Sequence, residues 1–341
     1  MPDSNLIKSR PGDLWVAPVN AIPSVLIDFG IDPHRAFSRA SVNLKSFEAS
    51  DSRMPIEDIG RLLDTCVALT KCPHFGLLVG ERFKLSNLGP VGQHMLSSAT
   101  VGSAMQSLLK YLPLYDRGAA LILLTNENSS VTLGYSMYRH GLPGVAYALD
   151  AVVAVGYRIL QELCGPAWKP LRVQFACKEP GDIAKHRSMF RSSVIFDAEV
   201  SGIVFASKWL EKSIAGADPG IHDLVADANR NAELSGALSF AERVEAVMPH
   251  MMLNGTESAG EVARYFGIHE RTLRRYLKEE QKGFQEILNQ TRCELAQQLL
   301  DNTALPVEKV AAALRYRDPN AFSRAFRSWT KPSPTQWRVR Q

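Results

Sequence analysis

The sequence lacks the features that would direct it out of the cell or into a membrane. Its five cysteines are an odd number and none has the C-x-x-C spacing, which argues against a disulfide framework. The first ten residues contain no apolar segment typical of a secretory signal. The most apolar helical stretch, residues 144–165, is interrupted by Asp150, Arg158 and Glu162, so no membrane span is predicted. We therefore expect a cytoplasmic protein with free thiols and no membrane partner.

The motifs of common enzyme classes are also missing. The sequence contains no G-x-G-x-x-G, no P-loop and no G-x-S-x-G, and His269 with Glu270 lacks the second histidine of a zincin helix. His74 lies near Cys66 and Cys72 in the sequence, but a fourth metal ligand is not found beside them. We predict that the protein is not an enzyme and needs neither a metal nor a cofactor.

What is present indicates two domains, because 341 residues are too many for one ordinary domain. Residues 1–215 mix helical periodicity, as in "PIEDIGRLLDTCVALT", with short β-type runs such as "AALILLT" and "SVTLGYSM" on either side of a predicted hairpin turn. A helix over about 144–163 and strands in "LRVQFA", "SSVIFD" and "GIVFA" follow. We predict an α+β (mixed α/β) domain for this part.

A Gly/Pro-rich break and a polar helical stretch to about Leu234 predict a linker over residues 216–237. From residue 238 to 341 every apolar pattern is helical, so this second domain is predicted to be all-α. The net charge of the chain is only +4, but the segment from Val310 onward contains seven cations and a single acid, Asp318. Such a local positive charge attracts polyanions, of which nucleic acid is the most common.

The second domain contains an internal repeat. Val262, Ala263 and Phe266 recur 48 residues later as Val310, Ala311 and Leu314, and Leu273, Arg275 and Leu277 recur 49 residues later as Phe322, Arg324 and Phe326. The extra residue falls in the turn of each unit. A short helix with a central alanine, a tight turn and a second helix form a helix-turn-helix, whose second helix enters a major groove of DNA.

The solvent face of each second helix carries what we call a basic stripe. The first stripe is Arg271, Arg275 and Lys278, with Arg274 beside it, and the second is Asn320, Arg324 and Arg327. Arginine and asparagine make bidentate contacts to guanine and adenine. The alternative is a solvated charged face without a partner, and the recurrence of the stripe in tandem argues against it. The predicted helix over residues 284–302 spans roughly 25–30 Å, which would hold the two recognition helices about one DNA turn apart.

On these residues the sequence resembles the AraC/XylS family of bacterial transcription regulators. "RTLRRYLKEE", "FQEILNQTRCELAQQLL", "VEKVAAALRYRDPNAFSRAFRSW" and "SPTQWR" follow the family's C-terminal signature over roughly residues 240–340. Segments such as "GIDPHRAF" and "CPHFGLLVGERFKLSNLGPVGQHMLSSATVGSAMQSLLKYL" are similar to the family's arabinose-binding-like sensor domain, over most of residues 20–220.

The resemblance implies a regulator whose sensor domain binds a small molecule or dimerises. It also implies that the tandem helix-turn-helix domain binds double-stranded promoter DNA, usually to activate RNA polymerase. Carried onto this sequence, the base-reading positions are Arg271, Arg274, Arg275, Asn320, Ala321 and Arg324. The positions that contact phosphate are Thr272, Arg315, Arg317 and Arg327.

The sequence departs from the family pattern where glycine is common, with Gln281, Arg315 and Lys331 in its place. Either these turns differ, or the residues adopt a strained left-handed conformation and the added cations offset the strain by binding phosphate.

The effector cannot be read from the residues. Polar and aromatic side chains near the predicted strands are expected in the core or on the surface rather than in a pocket; they are Tyr111, Tyr115, Arg117, Tyr135, Tyr138 and Arg139. An alternative is a constitutive DNA binder whose N-terminal domain serves only dimerisation or protein contacts. The size of that domain favours sensing over a purely architectural protein.

Overall fold

The computed structural model describes residues 13–47, 52–115, 119–126, 128–137, 144–198, 200–218, 220, 239–253 and 256–339. The polar helical stretch predicted to end near Leu234 and most of the predicted linker lie outside the described residues. The predicted domain boundaries therefore stay predictions.

The N-terminal part is built from helices around two small sheets. Its α-helices are α1 (Ile22–Asp28), α2 (Pro33–Arg39), α3 (Ile56–Thr70), α4 (Phe75–Glu81), α5 (Gly89–Leu96), α6 (Val101–Tyr115), α7 (Val145–Cys164) and α8 (Ala184–Phe190). In α3 the periodic apolar residues Ile59, Leu62 and Leu63 are buried, as the sequence pattern predicts. Asp32 begins α2 by accepting a hydrogen bond from the His34 amide at 3.0 Å.

The larger sheet has five strands in the order β3-β4-β7-β5-β6. The strands of the structure are β1 (Asp13–Trp15), β2 (Arg53–Pro55), β3 (Ala119–Asn126), β4 (Ser130–Met137), β5 (Arg172–Gln174), β6 (Ser193–Ile195) and β7 (Ser201–Ala206). β3 and β4 pair antiparallel as the predicted hairpin, β7 pairs antiparallel with both β4 and β5, and β5 with β6 is the parallel pair. β1 and β2 form a separate antiparallel pair that the sequence patterns did not predict.

Close helix packing brings α4 against α7. A Cβ atom on Gly76 would lie 2.0 Å from the carbonyl oxygen of Tyr147, and one on Gly80 would lie 2.4 Å from that of Ala151. No side chain larger than hydrogen fits at either position, so the two glycines set the helix crossing. The side chains of α7 then fill the core between α4 and the sheet, where Tyr157 packs against neighbouring aromatic rings.

From Phe240 onward every described element is helical. The helices are α9 (Phe240–Leu253), α10 (Ala259–Tyr265), α11 (Glu270–Glu279), α12 (Phe284–Asn302), α13 (Val307–Ala313), α14 (Pro319–Thr330) and α15 (Pro334–Val339). One cluster of buried apolar side chains unites them, from Phe240 to Phe326. The mixed α/β part and this helical part, with two helix-turn-helix units joined by α12, confirm the predicted fold class.

Two of the aromatic residues considered for a pocket belong to the core. Tyr111 and Tyr135 are 1% and 8% exposed. Tyr115 ends α6, and Arg117, Tyr138 and Arg139 lie outside the described residues. Cys66 and Cys72 are free and buried, and burial raises the pKa of the Cys66 thiol to about 12. Among the described residues, no three His, Cys, Asp or Glu side chains are grouped so that they could hold a metal ion.

Within the described part of the chain, no single helix has both the length and the apolar character that crossing a membrane requires. Helices α3 and α4 have the required length and apolar character only when taken together, and the chain bends by 109° between them.

Candidate nucleic-acid interface

In the first helix-turn-helix unit, a side chain caps the N-terminus of α10, and buried apolar residues pack α10 against α11. The Ser258 hydroxyl accepts a hydrogen bond from the Glu261 amide at 3.2 Å and begins α10. Val262 and Ala263 of α10 are buried, as are Leu273 and Leu277 of α11. The small Ala263 lets the second helix cross the first closely, which turns the opposite face of α11 to solvent.

The second unit repeats this construction with larger side chains. Asp318 accepts hydrogen bonds from the amides of Asn320 at 3.0 Å and Ala321 at 3.3 Å, and Pro319 follows it at the first helical position. Phe322 and Phe326 of α14 are both completely buried. Phe322 and Phe326 therefore hold α14 in place, while the arginines of α14 remain exposed to water.

Both units close their turn with the same backbone geometry. Gly267, after α10, has φ +66°, and Arg315, after α13, has φ +61°. The residues after them, Ile268 and Tyr316, donate to the carbonyls of Ala263 and Ala311 at 3.0 and 2.9 Å. Tyr316 packs against the helical core as Ile268 does.

The two other departures from the family pattern behave in the same way. Gln281, after α11, has φ +57°, and Lys331, after α14, has φ +74°. Their amides donate to Lys278 and Arg327 carbonyls at 3.0 and 2.9 Å. Both residues thus have the positive φ that suits glycine, and the ψ of −51° at Lys331 lies outside the left-handed helical region. The positive φ at Gln281, Arg315 and Lys331 favours strained turn residues over relaxed, altered turns.

The basic stripes lie on the exposed faces of α11 and α14. Arg271, Arg275 and Lys278 are exposed on α11, and Asn320, Arg324 and Arg327 are exposed on α14. Since each helix buries the opposite face, all six side chains point away from the core. The stripes therefore lie on the solvent-exposed helix faces that the sequence spacing predicted.

Other predicted site residues have different surroundings. Arg315 and Arg317 are exposed beside the second turn, while Thr272 and Ala321 are half-buried near the start of their helices. Arg274 lies at the edge of the first stripe, where its guanidinium is 6.0 Å from the Phe284 ring centroid.

The two units differ in how their arginines are paired. The Arg274 Nε and Nη2 atoms donate to Glu270 Oε1 at 2.9 and 2.7 Å, and the Arg275 Nε atom lies 3.8 Å from Glu279 Oε1. Arg324, on the second stripe, forms no ion pair with any residue that the structure describes. Among the described residues, Arg324 is therefore less compensated by a neighbouring carboxylate than Arg274.

Helix α12 connects the units and anchors the C-terminus. Its 19 residues correspond to a length of roughly 28 Å. Near its end Asp301 accepts a 2.5 Å hydrogen bond from Trp337 Nε1, and Arg338 donates to the carbonyls of Leu300 and Leu305 at 3.3 and 2.7 Å. Arg338 counts among the cations of the basic tail in the sequence, but the structure uses it to hold α15 against α12.

A second long-range contact within the helical part was not predicted from the sequence patterns. The Glu280 carboxylate, just after α11, accepts hydrogen bonds from the amides of Phe240 at 2.8 Å and Ala241 at 2.6 Å. It thereby supplies the N-terminal cap of α9 from about 40 residues away. Burial alone would raise the pKa of this carboxyl, but the two amides, Ser239 and Arg243 outweigh it and lower the pKa. A cap from so far along the chain leaves no local motif.

Comparison with known proteins connects both parts of the chain to transcription regulators. The family described as "Arabinose-binding domain of AraC transcription regulator, N-term" matches residues 30–214, and the family described as "Helix-turn-helix domain" matches residues 262–340. The ornithine utilization regulator of Pseudomonas aeruginosa is 27% identical over 326 residues, which are 95% of this chain and 95% of the relative.

Two further similarities cover nearly the whole chain. The HTH-type transcriptional regulator VirS of Mycobacterium tuberculosis is 24% identical over 331 residues, 97% of this chain and 96% of the relative. Among solved structures, the transcriptional regulator CdpR from Pseudomonas aeruginosa has a TM-score of 0.48 and 24% sequence identity, with 94% of this chain and 96% of that chain covered.

Proposed function

Because this chain belongs to the AraC-type transcription regulators, with an arabinose-binding-type N-terminal domain and a helix-turn-helix DNA-binding domain, we propose that it activates transcription in response to a small-molecule effector. The chain is a regulator that binds DNA and not an enzyme. In the proposal it binds promoter DNA in the cytoplasm and recruits RNA polymerase, and its N-terminal domain binds the effector or forms a homodimer.

The observation that carries the proposal is the pair of matched basic stripes. Each stripe lies on the exposed face of a helix whose other face is buried, and α12 separates the two units. A rod of roughly 28 Å approaches the distance of about 34 Å between successive major grooves on one side of DNA. We infer that α12 holds the two recognition helices at about this spacing, so that they can read adjacent major-groove segments.

Within this proposal the side chains divide by chemistry. Base edges are read by Arg271, Arg274, Arg275, Asn320, Ala321 and Arg324. Phosphates are bound by Thr272, Arg315, Arg317 and Arg327. Arginine and asparagine have the donor geometry for guanine and adenine, whereas cations beside the groove add affinity without reading sequence. The lateral position of Arg274 and the half-burial of Ala321 favour Arg271, Arg275, Asn320 and Arg324 as the main readers.

A footprinting experiment tests DNA recognition directly. The full chain and a fragment of residues 238–341 are incubated with the DNA upstream of the protein's own gene and of adjacent genes, with a random duplex as the control. We expect protection of a site containing two segments about one helical turn apart. The fragment should protect the same site, more weakly if the full chain dimerises. A folded fragment without any sequence preference would contradict the two-domain proposal.

A thermal-shift screen of metabolites tests the sensor role. A ligand present at 100 times its Kd stabilises the folded state by about 2.7 kcal/mol. A hit should also change DNA affinity, and linkage requires DNA to change ligand affinity by the same factor. A tightly bound ligand that leaves DNA affinity, oligomeric state and transcription unchanged would favour the alternative, a constitutive regulator whose N-terminal domain serves only dimerisation or protein contacts.

A further inference from the structure

The five-stranded sheet has one face in the N-terminal core and one face turned away from it. Val131 and Leu133 of β4 belong to the core cluster, as do Ile203 and Phe205 of β7. Successive residues of a strand point to opposite faces. Ser130, Thr132 and Gly134 of β4 therefore lie on the second face, in register with Ala206, Val204 and Gly202 of β7.

This second face is nevertheless closed to solvent. Ser130 and Thr132 are 6% and 4% exposed, and Val204 is 3% exposed. Val204, although apolar, belongs to neither apolar core cluster of the N-terminal part. Leu109 of α6 is likewise 3% exposed and outside those clusters. Some element other than the N-terminal core must cover these residues.

The covering elements come from the DNA-binding domain. Helix α12 lies against β4, and helix α9 lies against β3 and α6. On α12, the polar residues Thr291 and Gln298 are only 4% and 2% exposed. Their spacing of seven residues places them on one side of the helix. Buried polar residues thus occur on both the sheet and the helix that meet here.

The docked arrangement leaves the recognition surface open. Arg271, Arg275, Asn320 and Arg324 are all exposed. The N-terminal domain therefore holds the DNA-binding domain by the helix that connects the two units and by the helix that precedes them. Exposing a domain interface to water costs less free energy when the interface contains polar groups than when it is purely apolar. Relative motion of the two domains is the usual behaviour of such interfaces.

We propose that the second face of the sheet, which includes Ser130 and Thr132, is a docking surface for the chain's own DNA-binding domain. Helix α12 holds both recognition helices, so a sensor that holds α12 controls how the pair is presented to DNA. The docking is independent of the proposed function, whereas its role in coupling an effector to DNA binding rests on that function.

Site-specific cross-linking in the full chain tests the docking. Thr132 is replaced by a residue with a small diazirine side chain, and the matched control carries the same residue at Ser193, which is exposed on β6 at the far edge of the sheet. A mixture of ¹⁵N-labelled and unlabelled protein distinguishes links within one chain from links between chains. We expect links within one chain from position 132 to residues 284–302, and none from position 193. Links confined to the N-terminal part, or links between chains, would overturn the proposal.

A charge insertion provides the second test. Thr132→Arg should separate the domains and increase the radius of gyration in solution scattering, while Ser193→Arg should not. Circular dichroism and the thiol reactivity of buried Cys66 verify that the N-terminal fold is retained. Since the stripes are exposed when docked, Thr132→Arg should leave affinity for a random duplex within about twofold of wild type. An unchanged radius in a folded Thr132→Arg variant would overturn the docking, whereas failure of all forms to prefer promoter DNA would instead overturn the proposed function.

Discussion

Arg315 occupies the left-handed backbone position at the end of α13 that Gly267 occupies at the end of α10, with φ +61° and +66°. The Arg315 amide donates to the Ala312 carbonyl, and the Gly267 amide donates to the Arg264 carbonyl, both at 3.0 Å. An L-residue in this conformation costs about 1–2 kcal/mol relative to glycine. The second unit therefore retains a strained residue at a turn where the first unit has none.

Arg315→Gly should relieve this strain and remove a cation beside the groove. We expect the free energy of unfolding to rise by up to about 1 kcal/mol, because the greater entropy of unfolded glycine cancels part of the gain. Cognate and random duplexes should both bind more weakly, and the slope of log affinity against log salt should flatten by about 0.9. Urea unfolding and titrations at several salt concentrations measure the two effects.

Arg317→Ser is the matched control, since it removes the same charge from a residue without a positive φ. It should flatten the salt slope equally without any gain in stability. Unchanged slopes in both variants would place the two arginines on a solvated face away from DNA.

Arg324→Ala should reduce sequence discrimination. The side chain is exposed on the second stripe, so its removal should not disturb the fold. The expected loss on the cognate site is about 1–3 kcal/mol, with preference relaxed at one base position. Arg264→Ala is the control, because Arg264 is exposed on α10 and paired with Glu261 outside both stripes. Equal binding by wild type and Arg324→Ala would show that the register of the second recognition helix is wrong.

Phe322→Ala should instead unfold the second unit. Phe322 is completely buried and packs 5.8 Å from the Phe326 ring and 5.5 Å from the Tyr316 ring, centroid to centroid. Truncating a buried phenylalanine typically costs about 3–5 kcal/mol. Phe29→Ala removes the same atoms from a side chain that is 41% exposed, so its cost should be clearly smaller. Similar losses of stability in the two variants, measured by urea unfolding, would contradict the burial of Phe322.

The elements that sequence periodicity predicted are those whose side chains repeat along the local chain. The helix expected over 284–302 is α12, and the hairpin around residues 126–130 is the β3–β4 pair. The position of β7 between β4 and β5 could not be predicted, since the order of strands depends on contacts between distant segments. The pairing of β1 with β2 could not be predicted for the same reason, since it joins two short segments that lie far apart in the sequence.

In the candidate site, too, the features set by local spacing were predicted and those set by distant contacts were not. Spacing alone placed Arg271, Arg275, Asn320 and Arg324 on exposed faces. It could not reveal that Arg338 is drawn inward to two backbone carbonyls, because that depends on where α15 packs.

Glu280 makes the stability of the helical domain sensitive to acid. The amides of Ala241 and Phe240, with Ser239 and Arg243, outweigh burial and lower the pKa of the Glu280 carboxyl below its ordinary value of 4.5. A carboxyl with a lowered pKa stabilises the fold fully above its unfolded pKa, and this contribution is lost as pH falls through the folded pKa. Glu280→Gln removes the charge and one of the two acceptor oxygens, so at neutral pH it should cost at most the roughly 0.5–2 kcal/mol that is typical of a lost helix cap.

The difference in unfolding free energy between wild type and Glu280→Gln should shrink when pH is lowered from 7 to 3. Glu279→Gln, which removes a carboxylate from the neighbouring exposed position, is the matched control. A difference that is constant over the whole pH range would mean that the charge of Glu280 does not contribute to the cap.

Glu270→Gln should make DNA binding less selective. The Glu270 carboxylate holds the Arg274 guanidinium through contacts of 2.9 and 2.7 Å and adds a negative charge to α11 beside the first stripe. Any duplex must overcome this repulsion and separate the pair, whereas only a cognate site can return specific contacts to Arg274. Removing the charge should therefore strengthen binding to a random duplex severalfold and reduce the ratio of cognate to random affinity.

Exposed ion pairs contribute little to stability, so Glu270→Gln should change the free energy of unfolding by less than about 1 kcal/mol. Glu261→Gln is the matched control. Glu261 forms an equivalent pair with Arg264, with contacts of 2.5 and 2.6 Å, on α10 and outside the stripes. It should leave both affinities unchanged. If Glu270→Gln and Glu261→Gln altered random-duplex affinity equally, the effect would reflect the net charge of the domain, and Glu270 would have no particular role beside the first stripe.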